Sequence, residues 1–202
     1  MLTLPRATPA EVDLVEDGGT TVLRVRAASG AGGASHGLSA APAATPRLSW
    51  RWKVDRALDR AVWGARSGDD FAARVYVAFD FPLDRLTFVE RAKLRLARFV
   101  YGDDVPAAAI CYVWATGVAV GTSGWNPYAS RVRMIALRSG NERAGQWVDE
   151  ARDVERDFRA AFGESSDAPV PRITGLALSS DTDQTLESAT AWFGDLRLGP
   201  RP

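Results

Sequence analysis

Apolar and polar residues alternate with a period of two in several short stretches of this chain. The clearest is GDDFAARVYVAFD, residues 68–80. Ala73, Val75, Val77 and Phe79 fall on one face of an extended chain, and Arg74, Tyr76, Ala78 and Asp80 on the other. A two-residue period predicts a β-strand with one face in a core. Here the second face is unusual, because it carries an arginine and a tyrosine in mid-strand. Leu48 to Val54 repeats the pattern, with Leu48, Trp50, Trp52 and Val54 opposite Ser49, Arg51 and Lys53. Further strands are predicted over Thr20–Ala27, Ala107–Ala115, Arg131–Leu137, Arg172–Leu178 and Thr190–Leu198. The 107–115 run is almost wholly apolar and reads as central. Two segments have helical spacing instead, near 84–99 and 149–162, the second stopped by Gly163. Residues 29–46 are rich in Gly, Ala, Ser and Pro and read as a long surface connection with at most a short strand at 36–38. Residues 179–188 read as a polar loop.

Strands of similar length with two inserted helices and no regular βαβ spacing predict a single antiparallel β-sandwich of jelly-roll type over residues 1–202. The first 19 residues are expected to be extended or poorly ordered. With 46% hydrophobic and 25% charged residues, the 202-residue chain has enough apolar material for a substantial core. Its 25 basic and 25 acidic residues cancel, which argues against a general nucleic-acid binder. Only Lys53 and Lys93 among the basic residues are lysines. Either a GC-rich genome or a use for bidentate guanidinium forks accounts for that. No apolar stretch approaches the length of a membrane span. No signal peptide is visible, so the expected home is cytoplasmic if the chain is full length, and periplasmic or extracellular if it has been trimmed. Cys111, the one cysteine, lies in the apolar run AAAICYVW and reads as a small buried hydrophobe.

Most catalytic templates are missing. There is no GxSxG, no glycine-rich phosphate loop, no HExxH and no zinc spacing. His36 is the one histidine and falls in the predicted surface connection. The remaining chemistry is carboxylate, arginine and aromatic. Asp69-Asp70 and Asp181-Thr182-Asp183 are acidic clusters, with Asp195 as a companion on the last strand. Carboxylates two apart in a loop project together, so Asp181, Asp183 and Asp195 are candidate oxygen ligands for Ca²⁺. The same pattern also arises in turns, where Asp accepts backbone N–H bonds. A binding face is the second candidate: Arg51, Lys53, Arg74, Tyr76 and Arg133 on one sheet surface, with Trp125 in the adjoining loop to stack on a ring. Such a face would hold an oligosaccharide or another anionic or hydroxyl-rich ligand. An ordinary solvated sheet face is the plainer alternative.

LSWRWKVD, GDDFAARVYVAFD, AICYVWA, NPY followed by RVRMIALRSG, WVDEARDVERDFRAAFG, DTDQT and FGDLRL occur here in one order. That order resembles a bacterial family catalogued as domain of unknown function 3047, over roughly residues 20–199. The family tends to write DTDNT where this chain has Gln184, and SGL where it has His36-Gly37-Leu38. A missing Asn at 184 would weaken a shared ligand site there. The resemblance groups Trp52, Arg74, Tyr76, Arg152, Asp153, Asp157, Asp181 and Asp183, and it implies no reaction. The Arg152, Asp153 and Asp157 group would either tie the second helix to the sheet or act chemically. The architecture is similar to that of jelly-roll carbohydrate-binding modules, some of which hold a structural calcium. Three functions stay open: a non-catalytic carbohydrate-binding sandwich, a polysaccharide lyase or hydrolase using Tyr76 or paired carboxylates with arginines, and a structural or protein-interaction domain.

Overall fold

Leu48, Trp50, Trp52 and Val54 are all essentially inaccessible, as the alternation requires. They belong to one of two sheets stacked face to face. The computed structural model describes residues 1–202 apart from 4–6, 102–104, 166–167 and 202. In chain order the strands are β1 (Leu2–Thr3), β2 (Thr8–Pro9), β3 (Glu11–Asp17), β4 (Thr20–Ala28), β5 (Gly30–Ala40), β6 (Arg47–Val54) and β7 (Phe71–Phe79). They continue as β8 (Ala108–Ala115), β9 (Ser123–Trp125), β10 (Val132–Ser139), β11 (Val148–Asp153), β12 (Ile173–Asp181) and β13 (Ser188–Gly199). Helix α1 spans Phe88–Tyr101 and α2 spans Val154–Phe162. Among the described residues no helix is long and apolar enough to cross a membrane.

The larger sheet runs β1-β5-β12-β7-β8-β10-β9, with β2 also beside β5, and the smaller runs β11-β6-β13-β4-β3. From β4 to β7, and again from β10 to β13, the chain crosses between the two sheets at every step, which makes this a jelly-roll β-sandwich. Pairing is mainly antiparallel. The β8–β10 pair is parallel, as is the short β2–β5 contact.

Aromatic rings fill the space between the sheets. Trp50 lies 5.4 Å from Tyr112 and Trp52 lies 5.7 Å from Trp114, ring centre to ring centre, so β6 and β8 meet directly. Burying each ring is worth about 2–3 kcal/mol, and its aromatic pairing adds about 1 kcal/mol. Helix α2 closes one end of this core. Asp153 caps it by accepting the Arg156 N–H at 3.0 Å, and Gly163 ends it in the left-handed conformation at φ 68°. Its Phe158 ring stands 4.6 Å from Phe79.

Two expectations need correction. Residues 30–40 form an eleven-residue strand, β5, instead of a surface connection. Its small residues let β12 approach closely: a Cβ on Gly33 would sit 1.9 Å from the Leu178 carbonyl oxygen. Residues 148–153 are strand β11, paired along β6, so α2 begins at 154 instead of 149. The residues that read as the first helical turn satisfy their backbone groups on the sheet edge.

Candidate functional site

The outward face of the larger sheet is where polar and open surface coincide. Register places Ser35, Ala177, Tyr76, Cys111 and Met134 in one row across β5, β12, β7, β8 and β10. The adjacent row is Gly37, Gly175, Ala78, Ala109 and Val132. One end of this face is covered. There Trp63, from the loop between β6 and β7, packs with Phe71, Cys111, Val113 and Met134 in a second apolar cluster. The rest of the face is a groove of about 880 Å³, walled at one end by Asp80, Phe81, Leu83 and residues 105–107 and reaching Asp181 at the other. Five strands at a spacing of about 4.8 Å make its floor roughly 19 Å wide. Because the floor is mainly Gly, Ala and Ser around one tyrosine, with Val132 at its edge, a ligand there can reach the sheet closely. Burial raises the Tyr76 hydroxyl well above its usual value, so the phenol stays neutral and can both donate and accept.

The groove ends at Asp181, and behind it lies a buried charged cluster. Asp69 and Asp70 precede β7, while Asp181 and Asp183 end β12 and begin the turn after it. Arg74, 2% exposed, sits among them. Its Nη2 donates to Asp181 Oδ2 at 3.0 Å and to the Asp69 carbonyl oxygen. Asn126 Nδ2 donates to Asp69 Oδ2 at 2.7 Å, and the Thr185 N–H donates to Asp70 Oδ2 at 2.6 Å. Burial drives the Asp181 carboxyl well above the ordinary carboxylate range. The neighbouring carboxylates of Asp183 and Asp70 push it the same way, and Arg74 offsets them only in part. Burial also raises Asp69, against the pull of Arg74 and Asn126. A register shift between Ser179 and Asp181 makes this geometry by bringing Phe71 onto the Arg74 side, 4.6 Å below the guanidinium.

The side chains expected to share one binding face are dispersed. Arg51 and Lys53 lie on the outer face of the other sheet. There Arg51 pairs with Asp195 at 2.7 Å and stacks 4.4 Å over Trp147, while Lys53 pairs with Asp17 and stands over Trp192. Asp195 is therefore far from Asp181 and Asp183; Asp70 takes the place beside them. Arg133 donates to Ser123 Oγ at 2.7 Å and lies over the Trp125 ring, which packs 5.6 Å from Phe162 of α2, on the core side of the larger sheet. Of the named binding side chains only Tyr76 lines the groove, with Arg74 buried at its end. Arg152 and Asp157 form a bidentate pair at 2.9 and 2.6 Å, completed by the Tyr112 hydroxyl at 2.7 Å. This trio fixes α2 to the inner side of the sheet.

Ser35, Gly175 and Ala177 are groove residues that no sequence signal singles out. Asn126 and Thr185 could be suspected only from their place within NPY and after DTD. Asp69 and Asp70 stand out in sequence as an acidic pair, but only the β7–β12 pairing joins them to Asp181.

Among solved structures, the chain is similar to the xyloglucanase domain of NopAA, a type three effector from Sinorhizobium fredii, in complex with cellobiose. The identity is 9% and the TM-score 0.49, over 99% of this chain and 91% of that one. None of the curated proteins matches it in sequence. Residues 2–197 match the family described as "Protein of unknown function (DUF3047)", and the chain belongs to that family.

Proposed function

We propose that this protein binds a neutral, hydroxyl-rich chain, an oligosaccharide, in the groove on the outer face of its larger sheet. The observation that carries the reading is the groove's lining. A floor of glycine, alanine and serine surrounds Tyr76, and polar groups sit at the margins in Ser35, Thr174, Ser179 and Asp181. A sugar has an apolar C–H face and a rim of hydroxyls. Tyr76 can take the face, and the marginal oxygens can take the rim. Among the described lining residues none is a lysine or arginine. That favours a neutral ligand over an acidic one, because Arg74 is already held by Asp181.

Binding without hydrolysis is the better-supported form of this reading. Glycoside hydrolysis uses two carboxyl groups about 5–10 Å apart flanking the bond. Among the described residues the two carboxylates lining the groove are Asp80 and Asp181. Asp80 follows the last residue of β7, whereas Asp181 pairs with the first, Phe71. Nine residues of extended chain separate those positions by roughly 30 Å. Calorimetric titration with neutral oligosaccharides of two to six units tests the proposal. Saturable heat that is lost in Tyr76→Ala supports it, and no heat with any neutral saccharide rejects it.

A further inference from the structure

The acidic cluster behind the groove has more carboxyl oxygens than its protein partners satisfy among the described residues. Asp69, Asp70, Asp181 and Asp183 bring four carboxylates together. Among the described residues Arg74 is the one cation paired with them, through Asp69 and Asp181. Asp70, Asp181 and Asp183 each place an oxygen within 4.8 Å of the other two. Oxygens bound to a common ion at about 2.4 Å lie at most about 4.8 Å apart, so the three are close enough to share one cation, and a site rich in carboxylates suits calcium better than magnesium, which keeps most of its waters.

A second observation is independent of that proximity. Asp70 is 0% exposed, and its Oδ1 has no hydrogen-bond partner among the described residues, although Oδ2 is held by Thr185. Thr185, 5% exposed, in the turn after β12, likewise keeps Oγ1 without a partner among the described residues. Oδ1 of Asp69, Asp181 and Asp183 is in the same condition. Buried polar atoms almost always have partners, so five such oxygens on two adjoining turns point to a bound ligand. All are hard donors of the kind that select calcium, magnesium or manganese over zinc or copper.

We infer that Asp70, Asp181 and Asp183, with Thr185 and Asp69 at hand to complete the shell, form a divalent-cation site, and that calcium is the ion it fits best. Bound there, the ion clamps the turn before β7 to the turn after β12. Asp181 also reaches the groove, but neither Asp70 nor Asp183 lines it, so the inference does not need the saccharide reading and is tested without a sugar.

The experiment is thermal unfolding of the whole protein after EDTA treatment and dialysis, with and without added Ca²⁺ or Mg²⁺, together with calorimetric titration by CaCl₂. At calcium a hundredfold above its dissociation constant the melting temperature should rise by about 5–10 °C, with one site by calorimetry and a smaller rise with magnesium. Asp183→Asn should abolish the calcium shift. Without metal this variant should melt at or above the wild-type temperature, because one of the mutually repelling carboxylates is gone. The inference is overturned if neither ion shifts the wild-type melt, or if Asp183→Asn lowers stability equally with and without calcium.

Discussion

Removing Asp157 should unfasten α2 from the sandwich without touching the groove. Its carboxylate accepts the Tyr112 hydroxyl at 2.7 Å and both forks of Arg152. Tyr112 is 0% exposed, so Asp157→Ala strands a buried hydroxyl at a cost of about 1–3 kcal/mol. The Arg152 side chain is 34% exposed, so loss of that pair is screened and adds only about 0.5–1 kcal/mol. The expected destabilisation is therefore about 2–4 kcal/mol, read by urea unfolding at neutral pH. Tyr112→Phe alone should cost about 1–2 kcal/mol. The double variant should cost about 1 kcal/mol less than the sum, because the phenylalanine leaves no hydroxyl to strand. Additive single effects, or an Asp157→Ala cost below about 0.5 kcal/mol, would refute the reasoning. Loss of ligand binding in a folded Asp157→Ala protein would return the trio to a chemical role.

Glu187 gives a pH prediction. Burial alone would raise its carboxyl, but the backbone N–H groups of Arg60 and Asp59 and the Arg56 guanidinium hold it below its ordinary 4.5. Its stabilisation is then fully present above pH 4.5 and fades as the pH falls through the lower folded-state value. Glu187→Gln should cost about 1–2 kcal/mol at pH 7 and much less near pH 3; equal losses at both would sink the account. Cys111 is fully buried and its thiol is pushed up to about 12, so it should resist a thiol reagent in the native protein and react promptly in denaturant. Ala177→Trp should fill the groove floor and abolish saccharide binding while shifting the melting temperature by only a few degrees; unchanged binding would place the ligand elsewhere.

Much of the fold is legible in the chain because alternation and burial coincide. Leu48–Val54 and Ala73–Phe79 each show which residues enter the core. What alternation does not reveal is which sheet a strand joins. Arg51 and Arg74 both lie opposite apolar neighbours, yet they emerge on outward faces of different sheets. Strand β5 is hidden for a different reason: glycine and alanine have weak strand propensity, and the close approach of β12 that favours them is a tertiary fact. In β11, Arg152 and Asp153 look like the first turn of a helix until β6 supplies their pairing partners. The acidic cluster is half legible. Each of its two turns is conspicuous in sequence, but their meeting depends on the β7–β12 register.

The most direct test of the central claim is calorimetric titration of neutral oligosaccharides into wild type, Tyr76→Ala and the Arg51→Ala/Lys53→Ala pair. The groove predicts saturable binding by wild type and a roughly 3–10-fold or greater loss in Tyr76→Ala, the scale of one aromatic contact. It predicts no change in the Arg51→Ala/Lys53→Ala variant, whose substitutions lie on the opposite sheet. Absence of binding to any neutral saccharide, or binding that vanishes with Arg51 and Lys53 and survives loss of Tyr76, would contradict it.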